Sequence, residues 1–192
     1  MILSDKRTVR RAVRAEIAKL SAEERSALSS QIFSKIASLE QIKQASVVAL
    51  FVALPDEPQT ADFIEQLLLQ NKRVVTPRIE GEVMNFYDIS EGIEVGAFGI
   101  MEPLATTPID PAEIDVMVVP GVAFTRHGAR LGRGKGFYDK FLSQLSEYKN
   151  SINLKVCGVS YSVQITKDFP VEETDYKMEY LLCEYGITKV HA

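Results

Sequence analysis

The sequence predicts an α/β protein: one domain spanning 1–192, three layers deep (α/β/α), with a mostly parallel, Rossmann-like sheet and a small antiparallel excursion. Three observations carry this. Short continuous apolar runs, among them Ser46 to Val52, Asp115 to Val119 and Lys155 to Ser160, have the length and β-branched content of strands buried on both faces. Helical patterns alternate with them, which favours parallel pairing through crossover helices. One of the strands also feeds a glycine-rich loop that opens a helix, the arrangement by which open α/β proteins hold phosphate.

Residues 5 to 20 read as an amphipathic helix, with Val9, Val13, Ile17 and Leu20 at helical spacing. Lys6, Arg10 and Arg14 share a second face, with only Asp5 and Glu16 in partial compensation. Cations this near a helix N-terminus oppose its macrodipole and point to an anionic partner. Ser21 to Glu24 form a capping box opening a second helix, whose stripe is Leu28, Ile32, Ile36 and Leu39. Ser46 to Val52 predicts a first buried strand, followed by the loop Ala53 to Thr60. Thr60 is the expected N-cap of a helix from Ala61 to Gln70, with Phe63, Ile64, Leu67 and Leu68 facing inward. Glu57 thus lies beyond a strand's carboxyl end, where open sheets place ligands; an ordinary solvated loop acid is the alternative. Arg73 to Thr76 predicts a second buried strand, stopped by Pro77. Glu82 to Ile89 suits an antiparallel edge or hairpin strand, Gly92 to Pro103 is turn-rich, and Leu104 to Pro111 is irregular. Together, 80 to 112 predict an excursion covering one side of a cleft. Asp115 to Val119 is the third buried strand. Beyond the loop, Phe137, Tyr138, Phe141, Leu142 and Leu145 resume a helical pattern. Lys155 to Ser160 predicts a further strand, Asp168 to Pro170 a turn, and Tyr180 to Cys183 a last short strand, extended by the tail Gly186 to Ala192.

The chemistry concentrates between Val119 and Leu142. Gly132, Gly134 and Gly136 alternate there with Arg133 and Lys135, just after Arg130. Glycines let backbone N–H groups approach an anion, and the helix N-terminus adds a favourable dipole. The loop is not a P-loop, because Gly136 follows Lys135 and Ala129 stands where the first Gly is needed. Nor is it a dinucleotide fingerprint, which would need Gly at Phe137. A solvated basic turn is the alternative reading. Net charge is −4, yet ten of the 22 Lys and Arg fall in two stretches: Lys6, Arg7, Arg10, Arg11 and Arg14, then Arg126, Arg130, Arg133, Lys135 and Lys140. Two basic patches on an acidic body suit a compact polyanion such as a nucleotide better than a nucleic acid. A triphosphate held by Lys135, Arg133, Arg130, Lys6 and Arg10 brings Mg²⁺, which takes one or two carboxylates. Asp139, one turn past the loop, is the first candidate, and Asp175, beside Glu172 and Glu173, is the second. An ion pair with Lys135 is the other reading of Asp139, and a structural role that of Asp175. His127 and His191 have no catalytic partner by spacing, so phosphoryl transfer fits better than covalent nucleophilic catalysis. Cys157 and Cys183 lie in apolar contexts without metal spacing and read as buried thiols in a reducing compartment, with the cytoplasm expected. The N-terminal M-I-L-S-D-K-R has no apolar signal core, and no apolar run has the length of a membrane span.

The stretch P-G-V-A-F…G-A-R-L-G-R-G-K-G-F-Y-D resembles the signature of the 5-formyltetrahydrofolate cyclo-ligase family, also called methenyltetrahydrofolate synthetases. The resemblance covers nearly the whole chain. The N-terminal K-R-x-x-R, the P-D-E…T after the first strand, the F-G-I-M-E-P turn and the late D-Y-K follow the family's order and spacing; the central loop is specific, the flanking motifs weaker singly. The resemblance implies ring closure dependent on ATP and Mg²⁺. The formyl oxygen of 5-formyltetrahydrofolate attacks the γ-phosphate, N10 attacks the resulting imidate-like phosphate, and 5,10-methenyltetrahydrofolate, ADP and phosphate leave. Carried over by motif, Lys6, Arg7, Arg10, Arg130, Leu131, Gly132, Gly134, Lys135, Gly136 and Tyr138 contact ATP. Val52, Glu57, Arg133, Gly134, Lys135, Gly136 and Phe137 contact the folate, with Glu57 reading the donor edge of the pterin. Asp139 and Asp175 serve Mg²⁺, and Lys135, with Arg133, stabilises charge on the transferred phosphoryl group. No nucleic-acid or membrane partner is expected, and the chain is expected to be a monomer or weak homodimer. Three positions depart from the family pattern: Phe137-Tyr138 stands for Tyr-Tyr, Thr125 for a frequent Asp, and Pro58-Gln59 for a commoner Ile/Val-Asp/Glu pair. The competing reading is a non-catalytic folate- or nucleotide-binding module on the same fold; intact Glu57, Lys135, Tyr138 and Asp139 favour the enzyme. A weaker third reading, an RNA-associated protein, is opposed by the acidic body and the lack of an aromatic-studded basic strand.

Overall fold

The computed structural model describes residues 5–96, 99, 101–148, 154–172 and 175–190. Phe98 and Ile100 of the F-G-I-M-E-P turn, Glu173 of the acid cluster and His191 lie outside these residues.

Helix α1 (Lys6–Ile17) is capped by Asp5, whose carboxylate accepts from the Thr8 N–H at 2.8 Å. The acid read as partial charge compensation is thus the cap itself. Helix α2 (Ala22–Ser38) begins at the expected capping box, with Glu24 N–H donating to Ser21 Oγ at 3.1 Å and Ser21 N–H to Glu24 Oε2 at 2.7 Å. Leu39 packs on the same core as Ile32 and Ile36, as expected, but from just beyond the helix: it takes an extended conformation and opens the one-turn helix α3 (Glu40–Gln44). Strand β1 (Val47–Ala49) is shorter than the apolar run that predicted it, although Leu50 and Phe51 beyond it are also buried. In helix α4 (Ala61–Leu69) Phe63 and Leu67 are buried and Ile64 partly so, whereas Leu68, expected inward, is 43% exposed.

Strand β2 (Arg73–Glu80) runs straight through Pro77, which does not stop it. The reason is position. Parallel pairing with β1 covers only Arg73 to Val75, so at Pro77 no neighbouring strand asks for the missing N–H. On the other side Pro77 faces Phe86 of the antiparallel strand β3 (Val83–Asp88), and the Phe86 carbonyl instead accepts from the Ile109 N–H at 2.8 Å. The expected excursion follows as the hairpin of β4 (Ile93–Val95) and β5 (Met101–Pro103). Strand β6 (Val116–Pro120) is buried throughout. Between it and the glycine loop the chain inserts an unpredicted hairpin, β7 (Ala123–Thr125) and β8 (Arg130–Leu131). Helix α5 (Phe137–Tyr148) then leads to β9 (Lys155–Val159), β10 (Ile165–Thr166), β11 (Tyr180–Cys183) and β12 (Gly186–Lys189).

The main sheet has the order β12-β11-β9-β6-β1-β2-β3. Its five parallel strands, β2, β1, β6, β9 and β11, stand in the order 2-1-3-4-5 of their appearance, with β3 and β12 as antiparallel edges. The order reverses between β1 and β6. Because crossovers are right-handed, a reversal sends the helices on either side of it to opposite faces. Side-chain alternation confirms two faces. Val48, Val116 and Val118 pack with Ile32, Ile36, Phe63 and Leu67 of α2 and α4. Val47, Ala49, Met117 and Val119 pack with Phe141, Leu142 and Leu145 of α5. Each such buried aliphatic side chain contributes roughly 1.5–3 kcal/mol. A third cluster joins Val9, Val13 and Ile17 of α1 to Ala123, Ala129 and Leu131. Docking of α1 therefore holds the small sheet β10-β7-β8 in place.

Candidate functional site

A cleft of about 490 Å³ opens at the carboxyl ends of β1 and β6, at the reversal of strand order, where doubly wound sheets bind ligands. Its walls differ in chemistry. One is the glycine loop, with Gly132, Arg133, Lys135 and Gly136 leading into Phe137, Tyr138 and Asp139 at the start of α5. The opposite wall is largely apolar, made by Phe51 and Leu54 after β1, Pro77 and Ile79 of β2, and Met84 and Met101 from the excursion, with Glu102 beside Met101. Val52 and Glu57 also line the space. The excursion thus covers one side of the cleft, as expected.

Within the loop Gly134 (φ 107°) and Gly136 (φ 76°) adopt backbone angles that other residues rarely take. The Gly136 carbonyl accepts the Lys140 N–H at 2.9 Å, the first turn of α5. The two basic patches meet here: Arg10 Nε donates to the Gly132 carbonyl at 2.7 Å. Lys6 faces away toward the acid cluster, 3.2 Å from Glu172 and 3.8 Å from Asp175, and Arg7 is exposed. Asp175, which also accepts the Glu172 N–H, is not among the residues lining the cleft.

Arg130 is buried. Its guanidinium donates to the Pro120 carbonyl at 3.0 Å, pairs with Asp139 and lies 5.4 Å from the centre of the Tyr138 ring. The sequence left an Asp139–Lys135 pair as the alternative, and Arg130 is the actual partner. Leu131 is buried under α1. The Tyr138 hydroxyl is buried without a hydrogen-bond partner, and burial first, then the charge of Glu57, pushes its ionisation well above the usual range. Lys135 is exposed and makes no ion pair among the described residues.

Glu57 is 7% exposed, and its carboxylate is fully engaged. Oε2 accepts from the Leu54 N–H at 3.0 Å, and Oε1 from Arg133 Nε at 3.0 Å and Nη2 at 2.9 Å. Arg133 Nη2 also reaches Asp56 at 2.5 Å. Burial raises the Asp56 carboxyl, but the bond and charge of Arg133 outweigh it, and the net shift is downward. The loop carrying both acids is braced from below. Tyr161 donates its hydroxyl to the Glu57 carbonyl at 2.9 Å, and the Gln59 amide donates to the carbonyls of Leu54 and Glu57. The Gln59 departure from the family pattern therefore ties the loop down. Thr60 precedes α4 as expected but does not cap it; its hydroxyl donates to the Phe51 carbonyl at 2.9 Å and accepts from Ala53. At Thr125 the hydroxyl accepts from the Ala129 N–H at 3.2 Å, so the turn is braced without an Asp.

Ending the second strand at Pro77 leaves the Ile79 part of the apolar wall out of the sequence reading. The apolar residue at Ile79, two beyond the proline, was the available signal for a longer strand. Cys157 and Cys183 are buried and free, and His127 lies exposed in the β7–β8 turn. Among the described residues no helix is long and apolar enough to cross a membrane.

Comparison with known proteins agrees with this geometry. Residues 2–184 match the model of the 5-formyltetrahydrofolate cyclo-ligase family. The 5-formyltetrahydrofolate cyclo-ligase of Escherichia coli K12 is 31% identical over 81% of this chain and 87% of its own length, and that of Mus musculus 26% identical over 94% of both. The solved 5,10-methenyltetrahydrofolate synthetase of Aquifex aeolicus superposes with a TM-score of 0.83 at 32% identity, over 97% of this chain and 93% of that one. With the motif order, the doubly wound fold and the cleft in agreement, the chain belongs to the 5-formyltetrahydrofolate cyclo-ligase family and is a ligase.

Proposed function

We propose that this chain uses ATP to close 5-formyltetrahydrofolate to 5,10-methenyltetrahydrofolate, with release of ADP and phosphate. The observation that carries the reading is the pairing of walls in one cleft: a cationic glycine loop faces an apolar surface that ends in a buried acid. The loop suits a polyphosphate and the apolar wall a flat heterocycle, and Glu57 offers an acceptor to that heterocycle's N–H donors. The formyl oxygen attacks the γ-phosphorus and ADP leaves. N10 then attacks the formyl-derived carbon, and the C–O bond to phosphate breaks as the ring closes. No protein nucleophile is needed, because the substrate carries both attacking atoms. Lys135, which makes no ion pair among the described residues, stabilises charge on the transferred group; Arg133 assists from the rim, and Arg10 steadies the loop through Gly132.

Magnesium fits this site in a limited way. Among the described residues no cluster of three metal-ligating side chains exists, so the ion would be held largely by phosphate oxygens. Asp139, half exposed on the cleft with one oxygen paired to Arg130, is the carboxylate available to it. Asp175 would join it only by leaving Lys6. Bound there, Mg²⁺ would neutralise charge on the β- and γ-phosphate oxygens.

The test is to mix purified protein with 5-formyltetrahydrofolate, ATP and Mg²⁺ and follow the near-ultraviolet absorbance of the methenyl product. Growth that requires ATP and stops with chelator is expected. A flat trace from folded protein that still binds ATP would move the chain to the binding-module reading.

A further inference from the structure

Asp56 is assigned no role by the motif pattern, yet it makes the shortest contact to Arg133. All three hydrogen bonds of the Arg133 guanidinium go to one loop, two to Glu57 and one to Asp56. They differ in what binding would do to them. The Glu57 bonds use the carboxylate of a buried acid that lines the cleft, so a ligand that engages this carboxylate competes with Arg133 for it. The Asp56 bond uses a carboxylate 39% exposed on the rim and outside the cleft lining, which a bound ligand leaves alone. Arg133 itself sits between Gly132 and Gly134, the latter at φ 107°, so neither chain neighbour offers a side chain to pack against it.

We propose that Asp56 is a positioning residue for the reaction: it keeps Arg133 on the rim of the cleft once substrate has taken the Glu57 carboxylate. This rests on the cyclo-ligase reading above. An ion pair this exposed contributes little to folding, so a merely structural Asp56 would show at most a small change in Tm and no change in kcat.

The experiment compares wild type, Asp56→Asn, Asp56→Glu, Arg133→Lys and the double variant Asp56→Asn/Arg133→Lys in the methenyl-formation assay. Asp56→Asn is expected to lower kcat about tenfold, less than the roughly 10²-fold of a full 1 Å misplacement because the loop backbone still carries Arg133, while KM for the folate changes less than about twofold. Asp56→Glu should restore most of kcat, and the Asn change should add almost nothing to Arg133→Lys. Additive losses, or a change confined to Tm, would overturn the proposal. If wild type forms no product, the functional reading fails on its own terms, and the side-chain Nε–H signal of Arg133 in an NMR spectrum with folate bound decides the rest. Its loss in Asp56→Asn supports the positioning role; its persistence there removes it.

Discussion

Lys135 differs from Arg130 and Arg133 of the cleft in making no ion pair among the described residues. Arg130 is locked between Pro120 and Asp139, Arg133 between two acids, and Arg10 on a carbonyl. A fixed guanidinium shapes the site, whereas a free ammonium could follow charge in the phosphoryl transfer proposed above. Lys135→Ala should therefore lower kcat by about 10²–10³, with Tm unchanged because the side chain is exposed. Near-normal turnover in that variant would remove Lys135 from the chemistry. Glu57 poses the opposite case, a buried acid whose every bond is made. Glu57→Gln keeps an acceptor for the Leu54 N–H but loses the charge that holds Arg133 and that the proposed function sets against the heterocycle's donors. KM for the folate is expected to rise about tenfold, consistent with a charged hydrogen bond of about 1.5–3 kcal/mol, and KM for ATP to stay near its original value. Equal increases in both would take Glu57 out of the folate side of the cleft.

At the scale of elements, the β7–β8 hairpin carries Arg130 into the site, and its turn is fixed by Gly128. That residue has φ 83°, and a Cβ there would stand 2.8 Å from the Met178 carbonyl oxygen, while the Met178 N–H donates to the Gly128 carbonyl at 2.9 Å. Backbone angle and backbone neighbour both forbid a side chain. Gly136 has φ 76° but open space around it, so only the conformational term applies. Gly128→Ala should thus destabilise by about 3 kcal/mol or more and Gly136→Ala by about 1 kcal/mol, measured as urea midpoints at constant m. Equal losses would mean that the Met178 contact relaxes freely. This hairpin was illegible in the sequence for a physical reason. Strands of two and three residues carry no periodicity of their own, and they exist here because Val9, Val13 and Ile17 of α1 press on Ala123 and Leu131 from more than a hundred residues away. Thr60 teaches the same lesson in reverse: its place before α4 was readable, but its hydroxyl found the Phe51 carbonyl and left the helix uncapped.

Across the whole molecule, what was legible is what burial on two faces dictates. Continuous apolar runs such as Val116 to Val119 can only be central parallel strands, and the glycine loop before Phe137 can only open a helix. The apolar wall of the cleft was not legible, because Phe51, Ile79 and Met101 converge only once β1, β2 and the excursion are assembled. Charge behaves collectively in the same way, and that fixes the response to pH. The carboxyls of Asp5, Asp56, Glu80 and Asp88 are all held below their ordinary values in the folded chain. For Asp88 burial is the largest single effect and pushes the other way, but the hydrogen bond from Arg73 at 2.5 Å, the bonds from Ser90 and the charge of Arg73 together outweigh it. A lowered folded value means that stability is complete above the unfolded carboxyl range, near 3.8 for Asp and 4.5 for Glu, and is lost as pH falls through the folded values. At the alkaline end the sign reverses. Burial, aided by Glu179, pushes the Cys157 thiol and the Tyr176 hydroxyl up to about 12. Both stay neutral when folded, so their contribution is complete below the unfolded values of 9.0 and 10.0 and is lost as pH rises toward 12. Urea midpoints should therefore be flat from about pH 5 to 8 and fall on either side. Asp88→Asn should flatten the acid limb while leaving the alkaline limb alone. Midpoints that climb toward pH 3 would mean that these ion pairs do not survive in solution as they stand in the fold.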